Sequence, residues 1–415
     1  MSGKSIIALL LGLSLAFAVT GCSASGPSAV TPKAPKIKLE LLTNKSDTME
    51  TMDKIIARFR ERYPNVEIEQ EAPPNMLKVL AMRFSTNTPP DLFTVYPTAP
   101  SMRQPVKSGY LTDLTGDPVL SNVRPDFLEF SRTGGKNYAV PLALEGYGII
   151  YNTAMFRELN LDIPQTYAEL LNICERLKAA GITPFIFADK DFTYVRRISS
   201  VLLGLDNPGI IPYFENVMAG RDHIQDSVQL IGMATKTMEL RKYGQRDSLD
   251  TSIENAVREF AGGRAAMFFN GMWEVNTIKR TNPDLDVAMF PFPAERKGDT
   301  RVAMQVGTAF GIPKQSKTMA EAKQFLSFLT TTEMAQLFSD ETGNISIING
   351  VKHTTKENGG IAEYALAGKL FRAADSPWTM SMQDEFGKAV QELIAGGGLD
   401  TFMRKMEETF YRAEE

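Results

Sequence analysis

Between Lys36 and Tyr96 the hydrophobic period switches back and forth, and that alternation restricts the fold more than any other feature of this chain. Lys36 to Leu42 alternates apolar and polar, the period of a strand. Met49, Met52, Ile56, Phe59 and Tyr63 recur at helical spacing, and Pro64-Asn65 ends that helix. Val66 to Ile68 makes a second strand, Leu77, Leu80, Ala81 and Phe84 mark a second helix, and Pro89-Pro90-Asp91 leads into the strand LFTVY. A β-α-β-α-β opening predicts an α/β fold with a mainly parallel, doubly wound sheet. Ligands of such sheets sit beyond the carboxyl ends of the strands. Asn44 to Thr48 and Tyr96 to Ser101 are therefore candidate cleft loops.

Later elements carry helix-start signals. Thr166 with Glu169 forms a capping box ahead of an apolar-periodic run that Gly181 closes, and Thr251 with Glu254 and Thr318 with Glu321 repeat the signature. Ala322, Phe325, Leu326 and Leu329 make one face of the helix that follows Thr318. Asp384 to Arg412 reads as two helices broken at Gly396-Gly397-Gly398. With 415 residues, 43% of them apolar, the chain is long enough for two domains. The net charge of −4 is spread along the sequence without a Lys/Arg block, which argues against nucleic acid as a partner.

The first residues read as an export signal. Lys4 precedes an apolar run from Ile6 to Val19, then Thr20-Gly21-Cys22 and a polar stretch. The run is shorter than the ~20 residues a membrane-spanning helix needs. Its VTGC ending resembles a bacterial lipobox, in which the cut precedes the cysteine and the thiol is lipidated. The expectation is a signal peptide over 1–21, a lipid (palmitate) on Cys22, and a Ser/Pro/Ala/Gly-rich tether over 22–35; an ordinary signal peptide with a chance cysteine is the alternative. Of the two cysteines this leaves Cys174, on an apolar face with Leu170, Ile173 and Leu177, so no disulfide is expected and the thiol reads as buried.

Catalytic signatures are sparse. The sequence has no HExxH, paired CxxC, GxSxG, GxxxxGK or GxGxxG, and its two histidines, His223 and His353, sit in polar surroundings that read as solvated. No cofactor or metal is expected. Paired carboxylates for glycoside hydrolysis stay open, because 49 acidic residues allow many pairs whose separation a sequence does not fix.

Four segments together carry a resemblance. They are the opening with FRERYPNVEIE and PPDLFTVYP; Gly135 to Leu171, with Tyr138, Pro141, Tyr151, Asn152, Pro164 and Thr166; FAGGRAAMFFNGMWEV, Phe260 to Val275; and Gly307 to Gln336. As a set, over about residues 36 to 345, they resemble the extracellular solute-binding proteins of ABC sugar importers, the maltose-binding-protein-like group. One departure is Gly343-Asn344-Ile345-Ser346, where the group usually has a proline. The resemblance implies a two-lobed periplasmic-binding-protein clamp of type II, closing by hinge motion on a ligand between the lobes. Lobe one would take 36–145 and 303–345, lobe two 146–302 and 346–415, with hinge strands including Ala143 to Gly148.

A sugar site needs aromatic plates for C–H faces and fixed groups for hydroxyls, carboxylates being strong acceptors. The resemblance puts a stacking ring at Trp273, after Gly271-Met272, and a cleft carboxylate at Glu145, with Tyr147 nearby. Ser46 and Asp47 match the first polar contact loop; Asp191, Phe192 and Tyr96 are further candidates. Gly307 and Thr308 would open the return strand, the glycine letting backbone amides approach a ligand. Trp378, the second of two tryptophans, lies in the polar loop DSPWTMS, where an exposed ring would need a ligand or partner.

These readings imply a monomeric, lipid-anchored binding protein on the outer face of the cell membrane, suited to a cell with no outer membrane, that delivers a sugar or oligosaccharide to an ABC permease. A secreted lipoprotein glycosidase and a non-transport sensor or adhesin are the alternatives. Scarce histidine argues against a metal chelate as ligand, and the lack of an Arg-rich loop against a phosphate.

Overall fold

In the computed structural model, which describes residues 36–224 and 227–411, the opening folds as its periodicity predicts. Strand β1 (Ile37–Leu42), helix α1 (Met49–Arg62), β2 (Val66–Glu71), helix α2 (Met76–Ser85) and β3 (Leu92–Val95) follow in order. β1 pairs in parallel with β2 from Ile37↔Val66 to Leu42↔Glu71, and with β3 on its other side. Ile55 and Phe59 of α1 are fully buried against this sheet, which explains the helical spacing of its apolar residues. The signal peptide, Cys22 and the tether lie outside the described residues, as does Arg412. No helix among the described residues is long and apolar enough to cross a membrane.

β4 (Val140–Asn152) holds the architecture together. It is thirteen residues long, roughly 40 Å when extended, and nearly all of it is buried. Val140 to Gly146 pairs antiparallel with β8 (Val302–Gly311), while Tyr147 to Tyr151 pairs antiparallel with β6 (Ala265–Gly271). β5 (Thr183–Ile186) adds in parallel to β6, β7 (Val287–Phe290) pairs with β4, and β8 returns to pair antiparallel with β3. The order is therefore β2-β1-β3-β8-β4-β6-β5, with short β9 (Ile345–Ser346) on β4 and β10 (Leu370–Phe371) on β8. Register shifts at Pro141/Ala143 and Ala143/Leu144 kink β4 at its first half.

Several local expectations need correction. Thr166 caps its helix by accepting from Glu169 N (3.2 Å), and Gly181 sits at φ +76° past its end, as the capping box predicts. The helix Ile253–Ala261, by contrast, is capped by Ser252 rather than Thr251. Thr251 is buried and donates to the Asp247 carbonyl instead. Thr318 makes no cap bond; its hydroxyl donates to Asp91 Oδ1 at 2.5 Å. Gly307 and Thr308 lie in the middle of β8, which opens at Val302. His353 is half-buried rather than solvated, and burial lowers its pKa below the usual imidazole value. Cys174 is buried, and burial pushes its thiol up to about 12.

Candidate functional site

The carboxyl ends of β1, β3 and β6 open onto one cavity of 410 Å³. The loops beyond them contribute Asn44, Lys45 and Asp47, then Tyr96 and Thr98 to Ser101, then Trp273. Glu145 and Tyr147 enter from the middle of β4, Met304 and Gln305 from β8, and Arg196, Arg197 and Ser200 from the helix Phe192–Leu205. The segment Arg372 to Ser376, with Met380 and Gln383, closes the remaining wall.

At the base lies a buried ion pair. Lys45 Nζ donates to both Glu145 oxygens at 2.6 and 2.7 Å, and Lys45 also lies 4.9 Å from the Tyr96 ring centre. Thr308 Oγ1 donates to Glu145 Oε1 at 3.2 Å, with Asn344 Nδ2 at 3.5 Å. Burial works against the Lys45 charge, but Glu145, with help from Tyr96 and Asp47, outweighs it and raises the ammonium above its ordinary pKa. A side chain at position 307 would put its Cβ 2.2 Å from Glu145 Cδ. Gly307 thus makes room for the Glu145 side chain, not for ligand approach to backbone amides.

The aromatic wall is built by similar clearance. Trp273 is half-buried and packs edge-on to Tyr147, ring centres 5.2 Å apart at 83°. A Cβ on Gly271 would come within 2.1 Å of the indole, so only glycine lets the ring lie back over β6. Met272 N bonds the Gly146 carbonyl at 2.9 Å and fixes the turn that presents Trp273. Burial pushes the Tyr147 phenol above its ordinary pKa, opposed by the charges of Arg197 and Arg196. Burial likewise raises the carboxyl of Glu274, which follows the tryptophan.

A second ion pair holds the far wall. Arg196 Nη1 bonds Asp375 Oδ2, and Ser200 Oγ donates to Asp375 Oδ1 at 2.6 Å. Arg372 donates to the Phe130 carbonyl (2.7 Å), and Arg103 to that of Ser376 (3.0 Å).

Of the residues expected from sequence, Asp47, Tyr96, Glu145, Tyr147 and Trp273 line the cavity, and Gly271, Gly307 and Thr308 stand behind it as supports. Others are not brought there. Ser46 is exposed on a short turn and does not line the cavity, although Lys45 and Asp47 on either side of it do. Asp191 spends a carboxylate oxygen on Ile253 N (2.7 Å), and the Phe192 backbone packs on Gly387. Trp378 is fully buried between Phe214, Phe386 and Phe410, ring centres 4.8 to 5.2 Å away, so it is core. Lys45, Arg196, Arg197, Arg372 and Asp375 were not anticipated. Adjacent arginines inside YVRRISSVLL, a run otherwise of apolar residues and two serines, were the available signal.

A family profile described as "Bacterial extracellular solute-binding protein" matches residues 43–336. The multiple sugar-binding protein of Streptococcus mutans is 25% identical over 357 residues, 83% of each chain. The melibiose/raffinose/stachyose-binding protein MelE of Bacillus subtilis is 23% identical over 362 residues, 84% of this chain and 82% of that one. Among solved structures, RafE in complex with raffinose superposes with a TM-score of 0.82 at 22% identity, over 92% of this chain and 100% of that one.

Proposed function

Since the chain belongs to the bacterial extracellular solute-binding proteins, we propose that it captures a sugar or oligosaccharide in the cleft and hands it to an ABC importer. The observation that carries this is the half-buried Trp273, held edge-on by Tyr147 over a polar floor. An aromatic plate beside fixed hydrogen-bonding groups matches a pyranose. Two of the three carboxylates on the wall are tied up in ion pairs, Glu145 with Lys45 and Asp375 with Arg196. Among the described residues the wall then offers Asp47 as its one carboxylate outside an ion pair, which supports capture over glycoside cleavage.

The strands β4 and β8 serve as the hinge of a two-lobed clamp in this reading. The first lobe holds 36–145 and the run from about 303. The chain crosses back near residue 345, so that the second lobe takes 146–302 and 346–415. A lipid on Cys22 keeps a monomeric clamp beside its permease in this reading. A thermal-shift screen of mono- and oligosaccharides tests the capture step, because a ligand bound only by the folded state raises Tm. A stabilising sugar that is not cleaved supports the proposal; turnover of that sugar refutes it. Cys22→Ala should release the protein from the membrane fraction.

A further inference from the structure

Among the described residues four cationic side chains line the cleft: Lys45, Arg196, Arg197 and Arg372. Lys45 is matched by Glu145, and Arg196 by Asp375. Arg197 and Arg372 form no ion pair among the described residues. Arg197 is half-buried and makes no hydrogen bond among them; its charge is felt by Tyr147 and by the buried Glu274, and that of Glu129 is felt by Arg372, in each case without a direct contact. Arg372 is also half-buried, lies 4.8 Å from the Phe130 ring centre, and gives one N–H to the Phe130 carbonyl. The remaining carboxylate on the wall, Asp47, is exposed.

A half-buried guanidinium that touches no carboxylate keeps its donors free for an anionic ligand. Hydroxyls of a neutral sugar bring dipoles only. A carboxylate or sulfate brings both charge and the two-oxygen geometry that a guanidinium fork grips. Arg196 and Arg197 come from a helix and Arg372 from a distant loop, so no single Arg-rich segment announces this in the sequence.

Resting on the capture reading above, we infer that the ligand is an acidic saccharide, its anionic group held by Arg197 and Arg372 while a sugar ring lies on Trp273. The test is calorimetric titration of the whole soluble protein with matched sets of oligosaccharides, each backbone in neutral, uronate and sulfated form. At low salt the anionic member of a set should bind about tenfold or more tighter than the neutral one, and 0.5 M KCl should shrink that ratio. Arg197→Gln and Arg372→Gln should each cut the ratio by about tenfold, with the unliganded Tm checking that the variants fold. The wild-type comparison stands without them. A preference for uronate identifies a carboxylate ligand, and a preference for the sulfated member a sulfate ligand. Equal or tighter binding of the neutral members overturns the acidic assignment and leaves sugar capture intact. Failure of every member to bind, with neutral sugars equally silent in the thermal screen, overturns both.

Discussion

Lys45 and Glu145 decide how the base of the cleft behaves. Removing one partner strands a charge in the interior, so Lys45→Met should destabilise the protein by about 3–5 kcal/mol in denaturant titration. The Lys45 pKa is raised in the folded state. Its stabilising contribution is therefore complete below the free-lysine pKa, ~10.4, and is lost only as pH rises through the higher folded value. The wild-type advantage over Lys45→Met should stay flat from neutral pH to about 10; a decline already near pH 8 would contradict the pairing. The two tryptophans should separate cleanly. Trp378→Ala should cost about 3–5 kcal/mol, as deleting a large core ring does, whereas Trp273→Ala should leave Tm close to wild type and weaken sugar binding. Glu145 was legible as a cleft residue through the family resemblance, with the apolar residues Leu142 to Leu144 beside it as support. Its partner was not, because 100 residues of sequence separate it from Lys45. Trp378 misled for the same reason: the rings that bury it come from positions 214, 386 and 410.

Elements were legible wherever a local pattern suffices to define them. The strand–helix alternation of the first sixty folded residues depends on side-chain period alone, and α1, α2 and their flanking strands form where that period places them. Caps were less secure, because two neighbouring hydroxyls present the same signal and tertiary contacts choose between them. Ser252 Oγ accepts from Asn255 N, so Ser252→Ala should cost about 1 kcal/mol of stability, read as a shift in the urea midpoint at constant slope. Thr318→Ala should instead act through the lost bond to Asp91. The Gly396 to Gly398 break is visible in sequence because φ values of +98° and +76° at Gly396 and Gly398 suit glycine alone. The buried face of the helix Tyr167–Ala179 makes a chemical prediction. With its thiol pushed up to about 12, Cys174 should resist iodoacetamide at pH 8 in the native protein and react once it is unfolded.

For the molecule as a whole, β4 and β8 join the sheet that begins the chain to the strands β5, β6 and β7, and the cavity lies where loops from both sets meet. A ligand seated there would touch both sets at once, as the proposed clamp requires. The cavity's location was readable from strand order; its charge was not, since Arg197 and Arg372 converge only after folding. Micromolar capture corresponds to about −8 kcal/mol, within reach of one stacked ring and several hydrogen bonds after the cost of closing. Calorimetric titration of wild type and Trp273→Ala with the saccharide that most raises Tm tests the central claim most directly. The account predicts one-to-one binding to wild type and at least about tenfold weaker binding to a variant whose unliganded Tm is unchanged. Equal affinity of the two proteins would contradict it.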